Sequence, residues 1–259
     1  QIDVILDARA KAQELAELGQ LAERCGIHGV WVSSLLDGRD PFANLALLAQ
    51  STSRIRLGPI AVNPFDTHPV KIASALLTLN ELAGGRAVHV PLQRPAFGID
   101  WQRLSDALTP RTRLLIVNFP HNPTGATFAP ADLDRLAERL RDTGVFVLAD
   151  EVYEHMLFDG RRHQSLLRHA ELAARSFVVS SFGKTYHATG WKVGYCIAPP
   201  QLMQEFRKVH QFVQFVVATP LQAAIADFMR DCPQHARELP AFYQGKRDYF
   251  AGLLSRTRF

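Results

Sequence analysis

The sequence predicts an α/β protein, a mostly parallel sheet in a three-layer αβα arrangement, on three observations. Short β-branched apolar runs alternate with helix-length amphipathic stretches along most of the chain. The runs are apolar through their middles, as strands buried on both faces are. The 259 residues are 47% hydrophobic, enough for a sizeable core.

In order, IDVILDA at 2–8, GVWVSS at 29–34 and IRLGPIAV at 55–62 read as strands. Between and after them, AQELAELGQLAERCG at 12–26, NLALLAQSTS at 44–53 and PVKIASALLTLNELAGG at 69–85 read as helices, with Gly26 and Gly84 as stops. The rhythm continues with strands at LLIVNF 114–119, VFVLAD 145–150, SFVVSSF 176–182 and GYCIAP 194–199. All seven runs are expected to join one sheet, with a separate half-barrel of the first three as the alternative. ADLDRLAERLRDTG at 131–144 is a crossover helix with Leu133, Leu136 and Leu140 on one face and a glycine stop. From Pro200 to the end the pattern is helical, with prolines marking the boundaries.

Composition narrows the function classes. No apolar run approaches the roughly 20 residues of a membrane helix, and QIDVILDAR lacks a secretory pattern, so no membrane partner and a cytoplasmic location are expected. Cys25, Cys196 and Cys232 are widely spaced, without metal-ligand or disulfide patterning, and the ten histidines are dispersed; no metal is assigned. The net charge of +4 arises from residues 88–259, with its arginines scattered over helix faces. That pattern argues against nucleic-acid binding and suits solvated surfaces, with attraction of an anionic cofactor or 2-oxo acid as a further option.

Lys184, inside SSFGKTYHATGWKVGY at 180–195, has neighbours that suit a lysine amine bonding covalently to an aldehyde. Ser181 precedes it and Lys192 follows it, a hydroxyl and a second cation suited to a phosphate. Asp150 ends a strand-like run, where a carboxylate would keep a pyridinium nitrogen protonated. Asn122 in NFPHNPTGA and Tyr153 in ADEVYEH offer hydrogen bonds to a phenolic oxygen on the same ring. Singly, each residue has an ordinary explanation: a solvated lysine, a capping aspartate, a turn asparagine, a core tyrosine, a strand-end serine. Jointly, in this order, they point to a cofactor site.

HNPTG at 121–125, ADEVYEH at 149–155, SSFGKTY at 180–186 and GWKVGY at 190–195 together resemble the fold-type I aminotransferases, especially the methionine and kynurenine aminotransferase branch, from about residue 88 onward. The resemblance implies pyridoxal 5'-phosphate as cofactor, amino acid and 2-oxo acid as substrates, and a homodimer. It implies Lys184 as the catalytic lysine, Asp150 as the pyridinium partner, Asn122 and Tyr153 as partners of the ring hydroxyl, and Ser181 and Lys192 as phosphate ligands.

Residues 23–34, ERCGIHGVWVSS, and 40–88 instead resemble the opening of the luciferase-like flavin or deazaflavin monooxygenases, which are (βα)-barrels. About three βα units would be present, a partial barrel. The two resemblances meet near ELAGGRAVHVPL at 81–92, where ELAGGRAV suits both, so the chain reads as a hybrid of segments 1–87 and 88–259, whether engineered, recombined or misassembled. Compared with the resembled aminotransferases, 88–259 lacks the N-terminal phosphate loop and the small domain with its carboxylate-gripping arginine, so impaired transamination is expected. The alternatives are an inactive α/β hybrid scaffold or, on the partial barrel alone, a flavin or deazaflavin oxidoreductase. For that last reading Trp31 and Phe42 would line the pocket, although strand and helix packing explains them equally well.

Overall fold

A computed structural model describes residues 2–34, 37–60, 78, 79, 82 and 87–257, with backbone alone at 212 and 213. The chain divides into two compact units, Gln1–His89 with Arg207–Val216, and Val90–Phe206 with Val217–Phe259.

In the first unit, β1 (Asp3–Leu6), β2 (Gly29–Ser33) and β3 (Arg56–Ile60) form a parallel sheet in sequence order, with Val4 opposite Val30 and Val30 opposite Leu57. Helices α1 (Ala12–Arg24) and α2 (Pro41–Ser51) complete it. Val30, Val32, Leu45 and Leu48 are fully buried together. Helix α1 approaches α2 at Gly19, where an added Cβ would sit 2.1 Å from Leu48 Cδ2. The Asp40 carboxylate caps α2 by accepting from Ala43 N at 2.8 Å. Gly26 ends α1 at φ 73°, the left-handed conformation that a glycine stop supplies. Most of the helix expected over 69–85, with Gly84 and much of the 81–92 junction, lies outside the described residues; Thr78, Leu79 and Leu82 within it are helical.

The second unit holds α3 (Trp101–Ala107), β4 (Leu114–Asn118), α4 (Pro130–Leu140), β5 (Phe146–Asp150), α5 (Ala170–Ala173), β6 (Ser176–Ser181), α6 (Phe182–Thr185) and β7 (Gly194–Ile197). Helix α7 (Pro200–Val213) follows, then α8 (Thr219–Asp231) and α9 (His235–Leu254). The sheet order is β4-β5-β6-β7, with β4 to β6 parallel and β7 antiparallel. The expectation of one sheet through both segments is corrected. Among the described residues β1–β3 pair only with one another, because α1 and α2 already bury their apolar face.

One face of the β4–β7 sheet carries the core. Leu133, Leu136 and Leu140 of α4 pack with Val117, Val147, Ala149 and Val178, and Leu104, Leu166 and Leu172 close the cluster. Leu136 and Val147 are fully buried, each contributing about 2 kcal/mol by transfer from water. Asp132 accepts from Ala129 N at 2.7 Å and fixes the start of α4. Its expected glycine stop is corrected: the helix ends at Leu140, and Asp142 takes the left-handed conformation at φ 58°. On the opposite face Phe206 of α7 reaches Phe177 at a centroid distance of 6.2 Å, the start of a third layer. Leu114, Ile116 and Phe146 on the sheet remain 49%, 62% and 44% exposed. Helix α9 starts at His235 and encloses Pro240, whereas the sequence places a boundary at that proline.

Candidate active site

Parallel strands deliver their C-terminal ends to one edge of a sheet, and there the chain leaves β4, β5 and β6 with the residues singled out above. Asn118, the last residue of β4, lies opposite Asp150, the last of β5. Its amide joins the two loops: Nδ2 donates to the Asp150 carbonyl at 3.1 Å and Oδ1 accepts from Asn122 N at 3.0 Å. Asn122 is thereby placed to donate from Nδ2 to the Tyr153 hydroxyl at 3.1 Å. Lys184, on the single turn α6, holds its ammonium 5.8 Å from the Tyr153 ring centroid, a cation–π approach. It is half-buried and, among the described residues, makes neither hydrogen bond nor ion pair.

Asp150 accepts at Oδ1 from Val152 N at 3.2 Å. Ser181 caps α6, its Oγ accepting from Gly183 N at 3.1 Å. Gly183 permits a close approach by the chain's own backbone: a Cβ there would lie 2.8 Å from Thr189 Cα. Thr189 Oγ1 donates to Gly183 O at 3.1 Å across the same gap. Lys192 is exposed, with a left-handed φ of 56°, two residues before Gly194, which pairs with Ser181. The structure thus brings Asn122, Tyr153 and Lys184 into contact. It sets Asp150 and Ser181 at the ends of neighbouring strands, and it leaves Lys192 at the same sheet edge touching none of the others.

Sequence reasoning missed the residues that hold this corner. Glu151 is only 4% exposed; its Oε2 lies 2.7 Å from His163 Nε2 and its Oε1 accepts from Leu166 N at 2.9 Å. Glu154 Oε1 accepts from Ser180 Oγ at 2.9 Å and from the Tyr195 hydroxyl at 2.6 Å. Burial first, and then the Glu154 hydrogen bond, push the Tyr195 phenol up to about 12, so it remains a donor at neutral pH. Burial also lowers His155 below the usual histidine range, against the opposing pull of Glu154. Asn118 is equally structural. In the first unit, Trp31 donates from Nε1 to Asp3 Oδ2 at 3.1 Å and lies over Gly58, while Phe42 is buried in the helix packing.

Comparison with known proteins finds two family models that match the chain. The family model described as aminotransferase class I and II matches residues 75–259, and the one described as luciferase-like monooxygenase matches residues 1–90. Methionine aminotransferase of Escherichia coli (strain K12) is 44% identical over 219 residues, covering 83% of this chain and 55% of the relative. Kynurenine–oxoglutarate transaminase of Dictyostelium discoideum is 33% identical over 229 residues, covering 83% of this chain and 53% of the relative. Among solved structures, a methionine aminotransferase from Escherichia coli superimposes with a TM-score of 0.67 at 46% identity, over 71% of this chain and 49% of that one. The chain spans about half the length of the curated relatives it matches.

Proposed function

Because the chain belongs to the class I and II aminotransferase family, matched over residues 75–259, we propose that it catalyses pyridoxal-phosphate-dependent transamination between an amino acid and a 2-oxo acid at the corner formed by Asn122, Tyr153 and Lys184. The observation that carries this reading is Lys184: a half-buried ammonium facing the Tyr153 ring, engaged by no carboxylate among the described residues. A structural lysine in that position would be expected to hold an acid.

The residues present fit the cofactor. Asn122 Nδ2 donates to the Tyr153 hydroxyl at 3.1 Å, which leaves the second amide hydrogen and the phenol hydrogen as donors that a ring oxygen could take. Asp150 keeps Oδ2 unengaged among the described residues, available to a protonated ring nitrogen. The Ser181 hydroxyl and the Lys192 ammonium supply a donor and a charge for the phosphate. When bound, pyridoxal phosphate supplies an electron sink for charge developing at the amino acid Cα. With the cofactor held there, Lys184 Nζ would be the base that takes the Cα proton of the amino acid and returns it. Asp150 holds the ring-nitrogen proton by its charge, and Asn122 and Tyr153 orient the ring. Since Lys192 is exposed, a phosphate contact from it would be weak and salt-sensitive, in keeping with an impaired turnover.

On this reading the chain is a hybrid with segments 1–87 and 88–259, works as a homodimer and resides in the cytoplasm. The independent three-stranded parallel sheet of β1–β3 favours the hybrid assignment. The test is a half-reaction: protein loaded with pyridoxal phosphate is mixed with methionine, kynurenine or an aromatic amino acid, and the 2-oxo acid released is quantified. Stoichiometric 2-oxo acid from the native chain and none from Lys184→Ala is the expected result. Its absence for every amino acid from a protein that retains cofactor would reject transamination in favour of the inactive scaffold.

A further inference from the structure

Glu154, which is not among the cofactor-binding residues assigned above, joins three segments near the lysine. One carboxylate oxygen, Oε1, accepts from Ser180 Oγ at 2.9 Å and from the Tyr195 hydroxyl at 2.6 Å, 26 and 41 residues away in sequence. Glu154 directly follows Tyr153, Ser180 directly precedes Ser181, and Tyr195 stands opposite Ser180 on β7. Tyr195 in turn packs on Phe182 at 5.0 Å, the first residue of the turn that carries Lys184. Ser180 is 8% exposed and Tyr195 half-buried, so loss of their shared acceptor leaves at least the serine hydroxyl without its partner in a mostly dry setting.

We propose that Glu154 is a positioning residue of this site: by tying the Tyr153 loop to both β6 and β7 through a single oxygen, it sets the gap between Lys184 Nζ and the Tyr153 ring. Resting on the transamination reading, the proposal adds the residue that fixes how Lys184 and Tyr153 meet. In the proposed role the carboxylate acts as an acceptor of two hydrogen bonds. An amide oxygen in its place therefore preserves the geometry, whereas a methyl group does not.

The experiment treats the full chain and its Glu154→Ala, Glu154→Gln and Ser180→Ala/Tyr195→Phe variants with pyridoxal phosphate and borohydride. It measures label on the Lys184 peptide by mass spectrometry, with thermal midpoints and amide exchange alongside. Glu154→Ala is expected to lower Lys184 labelling about tenfold, and Glu154→Gln to restore it to within about threefold of the native chain. The double variant, which keeps the carboxylate and loses both donors, is expected to match Glu154→Ala and takes over the test if that variant does not fold. Native-level labelling in a folded Glu154→Ala protein overturns the proposal, as does a Glu154→Gln protein as poor as Glu154→Ala. If the native chain takes no label at Lys184, the transamination reading fails and amide exchange still decides this one. Exchange at Tyr153 and Lys184 about tenfold faster in Glu154→Ala than in Glu154→Gln supports the tie, and equal rates refute it.

Discussion

At the scale of single residues, the site depends on a few side chains that hold one another in register. Asn122 and Tyr153 share a 3.1 Å hydrogen bond. Each of Asn122→Ala and Tyr153→Phe is expected to weaken retention of pyridoxal phosphate by about 1 kcal/mol, roughly fivefold, as read from an equilibrium titration of cofactor absorbance. His155 supplies a pH dependence of stability. Burial lowers its folded-state value below the unfolded 6.5, against Glu154, with His163 and His235 adding to the lowering. The unfolded chain then binds the proton more readily, so this contribution is fully present above 6.5 and is lost as pH falls from there through the folded value. Urea midpoints should therefore drop on acidification below 6.5 in the native chain and drop less in His155→Gln. Lys184, Asp150, Asn122 and Tyr153, on which the proposed site rests, stand out in the sequence by their identities and order. Asn118 and Glu154 do not, since hydrogen bonds spanning 32 residues for Asn118, and 26 and 41 for Glu154, leave no local pattern.

At the scale of elements, α6 and α4 show what periodicity does and does not convey. The α4 stripe of Leu133, Leu136 and Leu140 packs as the helical spacing predicts, and Leu136→Ala is expected to cost about 3 kcal/mol in denaturant unfolding. The single turn α6 depends on Gly183: a methyl group there meets Thr189 Cα at 2.8 Å, backbone that cannot swing aside. Gly183→Ala should destabilise by about 2 kcal/mol and displace Lys184, measurable as a lower thermal midpoint together with reduced adduct formation. The strands were legible as apolar runs, but the reversal of β7 was not, because direction follows from a short return through α6 and not from composition. The end of α4 was misplaced for a related reason: both Asp142 and Gly144 suit a helix stop, and only the packed chain selects between them.

At the scale of the molecule, two sheets stand where the sequence suggested one. The seven runs share one apolar character, and hydrophobic patterning does not say which runs pair. The β4–β7 sheet buries one face under α3, α4 and α5, while Leu114, Ile116 and Phe146 on the other remain largely exposed. Such a patch should bind a hydrophobic dye, and Ile116→Glu is expected to reduce that fluorescence without altering Lys184 chemistry. Among the described residues no helix is long and apolar enough to cross a membrane. The central claim is that Lys184 forms the covalent bond to the cofactor, and the direct measurement is the visible absorption spectrum with added pyridoxal phosphate, for the native chain and Lys184→Ala, before and after borohydride. The expected result is a band present only with Lys184, which reduction converts to a stable adduct on that residue. Identical spectra for the two proteins, or label spread over other lysines, would contradict it.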